Sequence, residues 1–238
     1  MSRLVITREG LPQGIVAVPV RTRLIGPGDD LLALVSEAIG GIARRGDLLC
    51  IAETAVAIAQ GRFIPAEYIR PSKLAFALSR RAGALATVAQ PESMQLVIDD
   101  VGVPKVLYAV VAGAVGRLLG KRGLFYEILG EAIAAIDGYT GTLPPYERAI
   151  VLGPDKPDEV SQQMAEALHC HVAVVDANDL QKAHILGASR GVNRRLVEEV
   201  MRSNPHGNAD QQTPLVILKW RGVGASPLLA ADNGEEAA

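Results

Sequence analysis

Short β-branched runs and helical stripes alternate along this chain at uneven intervals, and that irregularity restricts it to helices packed on mixed sheets. Residues 15–20 (IVAVPV), 48–52 (LLCIA), 149–152 (AIVL), 172–175 (VAVV) and 213–220 (TPLVILKW) read as strands, with a further short one at Ile185-Leu186. Between them the spacing predicts helices over 31–42, from Pro71 to about Arg81, over 106–119, from Pro157 through Leu168, and over 192–201. Gly26-Pro27-Gly28-Asp29-Asp30 is a turn whose aspartate can cap the first of these helices. In the helix over 106–119, Ala109, Ala112, Gly113, Gly116 and Gly120 form a small-residue surface that lets another backbone approach closely. No repeat of fixed period is present, and the expected class is α+β, with mixed β-sheets packed against helices.

Hydrophobic residues make up 49% of the 238 positions but aromatics only 4%, so the core must rest on Ala, Val, Ile and Leu. That length suits one domain over 1–220, with two interleaved subdomains as the alternative division. Residues 221–238, rich in Gly, Ala, Asp and Glu, are expected to form a disordered tail. A net charge of -2 provides no field for steering to nucleic acid or anionic lipid. The longest uncharged apolar run, 106–116, is shorter than the roughly 20 residues a membrane span needs. Nothing at Met1-Ser2-Arg3 resembles a signal peptide, so none is expected, and two distant cysteines, Cys50 and Cys170, make no disulfide framework. These features lead to the expectation of a cytoplasmic protein acting on a small molecule.

The common nucleotide signatures are missing. Residues 116–121 (GRLLGK) fall one residue short of a P-loop, and Arg122 stands where a Ser or Thr would hold magnesium. His169-Cys170-His171 invites a metal reading, but no third ligand is visible, and a turn entering the next strand is the better account. His184 and His206 are read in the same way. More informative is Asp176-Ala177-Asn178-Asp179, an acidic and amide cluster at the carboxyl end of a buried strand. Sheets of α/β type bind ligands there, and carboxylate and amide oxygens suit a hard cation. The plainer account is an Asx turn. Further candidates are the small-residue segment after Asp137, Arg190 with Gly191, and the loop over 204–213, which contains Asn208.

Several of these pieces, taken in order, resemble the coenzyme F420-0:L-glutamate (γ-glutamyl) ligase family. The opening strand, Gly28-Asp29-Asp30-Leu31, a helix and Gly46-Asp47-Leu48-Leu49 match its start. Ala59-Gln60-Gly61-Arg62 stands where the family has a segment ending in E-G-R. The Asp137 region is similar to its A-G-V-D segment, and Val151-Leu152-Gly153-Pro154-Asp155 to its V-L-L-P-x-D stretch. Val175-Asp176-Ala177 resembles T-D-T, and Ile185-Leu186-Gly187-Ala188 resembles A-I-G-x-A. The resemblance covers residues 15 to 220, and the order of the motifs carries it.

The resemblance implies a fold without a P-loop, a homodimer, and amide formation driven by GTP through an acyl phosphate, with glutamate supplying the amine. Divalent metal, Mg²⁺ or Mn²⁺, would be held by Asp137 and Asp176. Arg62, Asn178, Arg190 and Asn208 would contact the nucleotide. The departures are concrete. The family's T-D-T-x-G-R-P-W-R becomes VDANDLQK over 175–182, without its arginines, glycine and threonines. A strand segment Q-K-x-V-S-K becomes ETAVAI over 53–58, without its lysines. These losses motivate the alternative of a non-catalytic ligand-binding or regulatory protein on the same scaffold.

Overall fold

The structure is a computed structural model that describes residues 14–81, 87–121, 123–129, 136–137, 144–178, 181–207 and 211–229. The chain divides into two compact units, Met1–Gly61 with Pro154–Ala238, and Arg62–Gly153. The class is α+β, as expected.

The first unit is built on a five-stranded sheet. Its strands are β1 (Ile15–Val20), β2 (Leu48–Ala52), β6 (His171–Asn178), β7 (Lys182–Ala188) and β8 (Leu215–Trp220), in the order β1-β8-β2-β6-β7. Only the β2–β6 pair is parallel; the other neighbours run antiparallel. The sheet is therefore mixed, with both faces covered, which is why its central strands are continuous apolar runs rather than alternating ones. One face buries Leu49, Ile51, Val172, Val174, Leu215 and Ile217 under helices α1 (Leu31–Ile39), α2 (Glu53–Ala59) and α7 (Pro157–Leu168). The other buries Leu48, Cys50, Ala173, Val175, Val216 and Leu218 under α8 (Arg194–Met201). Successive side chains point to opposite faces, so these two lists interleave along every strand.

Local chemistry explains the helix limits. Asp30 caps α1 by accepting the N–H of Ala33, and Asn193 caps α8 by accepting that of Leu196. Residues 53–58, which the resemblance matches to a strand segment, instead form α2. Ala55, Ala57 and Ala59 favour helix, and Glu53 suits the positive end of the helix dipole. His169 closes α7 in the left-handed region and His171 opens β6, so the His-Cys-His segment is the entrance to a strand. Residues 226–229 of the expected tail are packed, while 221–225 are exposed. Leu228 is fully buried, and its carbonyl accepts the N–H of Asn193.

The second unit carries a three-stranded antiparallel sheet, β3 (Phe63–Pro65), β5 (Ala149–Leu152) and β4 (Ile136–Asp137), in the order β3-β5-β4. Its helices are α3 (Lys73–Ser79), α4 (Pro91–Val101), α5 (Val103–Leu118) and α6 (Leu124–Leu129). The core joins Ala75, Leu78, Met94, Val97, Ile98, Val106, Ala109 and Ile150. Helix α5 turns its small residues inward. A Cβ on Gly116 would lie 2.4 Å from Leu124 Cδ1, and one on Gly113 would lie 3.1 Å from Phe125 Cβ. The backbone that approaches this surface is thus α6 of the same chain. The larger apolar residues Leu107, Val111, Val115 and Leu118 are left exposed, Leu118 at 87%.

Candidate active site at the end of strand β6

The ladder between β2 and β6 ends at Ala52 opposite Val175. Asp176 is the next residue, and it pairs only with β7. It is not in a turn: Asp176 stands opposite His184, and Asn178 opposite Lys182. Strand alternation puts Asp176 and Asn178 on one face, with His184 and Lys182 beside them. An extra residue in β7, between the partners of Val174 and Val175, shifts the register just before this point. Such bulges redirect side chains at the ends of sheets.

A shallow pocket of about 430 Å³ opens here, lined by Asp176, Asn178, Gln181, Lys182, His184 and Arg202. Asp176 is half-buried, and among the described residues its carboxylate takes part in no hydrogen bond or ion pair. Burial raises its pKa above the ordinary carboxylate range, and the neighbouring His184 partly opposes the shift. A carboxylate held out of water without a bonded partner is a group that a cation would stabilise. Asp176 and Asn178 supply hard oxygen donors on one face, the donor type that Mg²⁺ and Mn²⁺ take. Among the described residues, no three His, Cys, Asp or Glu side chains gather closely enough to hold a metal by themselves.

The remaining expected residues are distributed as follows. Asp137 is the second residue of β4, in the second unit, paired with Val151; its side chain lies outside the described residues. Asn208 also lies outside them. Arg62 opens the second unit, and its Nε donates to the carbonyl of Gly153 at 2.6 Å. In the first unit, Gln60 Nε2 donates to the carbonyl of Asp155 at 3.0 Å, and Asp155 N–H donates back to Gln60 Oε1 at 2.8 Å. The segments 59–62 and 151–155 are therefore tied side by side. Arg190 is exposed in the turn after β7, and its backbone N–H donates to Gln162 Oε1 of α7.

Sequence reasoning missed Arg202 and set His184 aside as structural. Arg202 follows the last residue of α8, and no local motif marks it. His184 gains its meaning from the register that sets it against Asp176, and that register depends on the bulge.

The profile of the F420-0:Gamma-glutamyl ligase family matches residues 19–182 of this chain. The chain belongs to the F420-0:gamma-glutamyl ligase family. Coenzyme F420:L-glutamate ligase of Methanopyrus kandleri is 30% identical to it over 166 residues. That alignment takes in 69% of this chain and spans 58% of the relative's length. The resemblance read from short motifs is thus borne out. The segment matching the F420-0:gamma-glutamyl ligase family includes both Asp137 and Asp176 and ends at Lys182, the β7 partner of Asn178. Arg190 and Arg202 lie beyond it. No helix among the described residues is long and apolar enough to cross a membrane.

Proposed function

We propose that this chain is a divergent amide-forming ligase that couples GTP cleavage to the joining of a glutamate-type amine to a carboxylic acid. The observation that carries the reading is Asp176: a half-buried carboxylate with no bonded partner among the described residues, in a pocket, inside the segment that matches the family. In this reading Asp176 holds Mg²⁺ or Mn²⁺, with Asn178 as an amide-oxygen donor, and Arg190 and Asn208 serve the nucleotide. Bound metal would neutralise charge on the phosphoryl group being transferred. The acid's carboxylate takes that phosphoryl group from GTP. The amine then attacks the activated carbon, phosphate leaves, and the amine nitrogen gives up a proton. His184, beside Asp176, is placed to take protons at this end of the pocket.

The same reading includes a homodimer. Its support in this molecule is the exposed apolar stripe of α5.

Calorimetric titration of GTP and of ATP, each with Mg²⁺ or Mn²⁺, tests the reading, followed by an assay for GDP and phosphate release with coenzyme F420-0 and L-glutamate. Binding that needs metal, with glutamate-dependent phosphate release, is the expected result. Ligand binding with no turnover under any combination would leave the non-catalytic alternative in its place.

A further inference from the structure

Among the described residues that line the pocket at the β6–β7 hairpin, basic side chains outnumber carboxylates: Lys182, His184 and Arg202 stand against Asp176. All three basic side chains are exposed, and none of them makes a hydrogen bond or ion pair with another side chain among the described residues. Glu198, one turn before Arg202 on α8, accepts the backbone N–H of Ile185. The basic side chains are therefore not consumed by the fold. They come from two elements: Lys182 and His184 from β7, and Arg202 from the end of α8. A helix packed on a sheet fixes the separation of such groups better than a loop does.

We propose that Lys182 and Arg202 form a clamp for a phosphoryl group in this pocket, beside Asp176. Their chemistry is complementary. The Arg202 guanidinium offers a planar fork of N–H donors that matches two phosphate oxygens, and the Lys182 ammonium offers a compact charge. The two would supply cationic charge to a segment, residues 175–182, that has no arginine of its own. The inference rests on the reading of this pocket as the ligase site and adds the phosphate-binding half to the metal-binding half.

The test is calorimetric titration with inorganic pyrophosphate without metal, using acetate as the carboxylate control. Wild type should bind pyrophosphate and not acetate. Lys182→Ala and Arg202→Ala should each weaken pyrophosphate binding by about tenfold or more, as expected for loss of a charge-assisted hydrogen bond. Arg202→Lys should recover part of the loss. Asp176→Asn should tighten metal-free pyrophosphate binding, because it removes a repelling charge. A double variant K182A/R202A that binds pyrophosphate like wild type overturns the clamp, and so does a wild type that does not bind pyrophosphate. Mn²⁺ binding followed by electron paramagnetic resonance separates the two claims. Loss of the Mn²⁺ site in Asp176→Asn with unaltered phosphate binding in K182A/R202A keeps the metal and removes the clamp. The opposite pattern keeps the clamp and removes the metal.

Discussion

Asp176 sits directly across the β6–β7 ladder from His184, at the first position where β6 has lost its other neighbour, β2. This arrangement predicts a conflict between stability and binding. Burial raises the pKa of Asp176, so its ionised form costs the folded state stability above the ordinary carboxylate range. The cost is fully present once the pH exceeds the folded pKa, and it vanishes as pH falls below the unfolded value. Asp176→Asn should therefore raise the melting temperature at pH 7, and the gain should disappear near pH 3. The same variant should lose metal-dependent nucleotide binding. Melting curves at both pH values, beside a Mn²⁺ titration, test both halves. A lower melting temperature at pH 7 would show that the carboxylate is a structural bond and not a free ligand.

Gly187 makes the second prediction. It lies in β7 where α7 begins, and an added Cβ would stand 2.2 Å from the carbonyl carbon of Pro157 and 2.4 Å from its oxygen. Those are backbone atoms and cannot rotate away. Asp158 fixes the approach by accepting the N–H of Ala188 and pairing with Arg194. Gly187→Ala should cost about 3 kcal/mol, at the upper end for overpacking, and lower the melting temperature by roughly 6–12 °C in a domain of this size. Because β7 carries Lys182 and His184, phosphate binding should weaken as well. A loss under about 0.5 kcal/mol would mean that α7 moves freely.

The elements most legible in the sequence were those whose residues agree with one another locally. The strands at 15–20, 48–52 and 149–152 have the limits that their apolar runs predict, and α7 starts at Pro157 and ends at Leu168 as its punctuation indicates. Helix α2 was obscured because β2 leads into it without a break, and Ala52 caps it with no side-chain hydrogen bond. Helix α4 passed unnoticed despite Pro91 at its start and Met94, Val97 and Ile98 at helical spacing. At the site, the carboxylate was legible from its place after a buried run. Its partners were not. Strand β6 runs on to Asn178 because β7 extends to meet it, and the register depends on a bulge that no residue type announces. Arg202 belongs to the pocket through the packing of α8 on the sheet, a long-range relationship that spacing along the chain does not encode.

His206 governs the third prediction. The ring is buried, and Nδ1 lies 3.2 Å from the carbonyl of Thr213, so Nδ1 carries the proton and donates. Nε2 is buried with no hydrogen-bond partner among the described residues. Burial pushes the pKa down to about 4, against the bond to Thr213, which raises it. The unfolded chain takes up a proton near pH 6.5 while the folded one resists until about 4. Stability is therefore full above pH 6.5 and falls as pH drops toward 4, by roughly 3 kcal/mol in all. His206→Gln keeps a donor for Thr213 and removes the titration. Urea unfolding at pH 4.5 and 7.5 should show a smaller difference in this variant than in wild type. Equal differences would assign the acid sensitivity to other groups.

The fourth prediction concerns α5. Val103, Leu107, Val111, Val115 and Leu118 recur at steps of one helical turn and are exposed, while the opposite, small-residue side is covered by α6. An antiparallel pairing of two such helices about Val111 sets Leu107 against Val115 and brings Val103 to the level of Leu118 and Leu119. A contact of this kind repeats the same patch on both partners, as two-fold symmetry requires. Val111→Asp places two facing carboxylates at the centre of the pairing. Light scattering should find twice the chain mass for wild type and a single chain mass for Val111→Asp, with far-ultraviolet circular dichroism unchanged. Because residue 111 faces solvent within the chain, the substitution should cost the isolated fold within about 0.5 kcal/mol. A wild type of single chain mass at every concentration, or a variant that still pairs, would leave this stripe without the partner assigned to it.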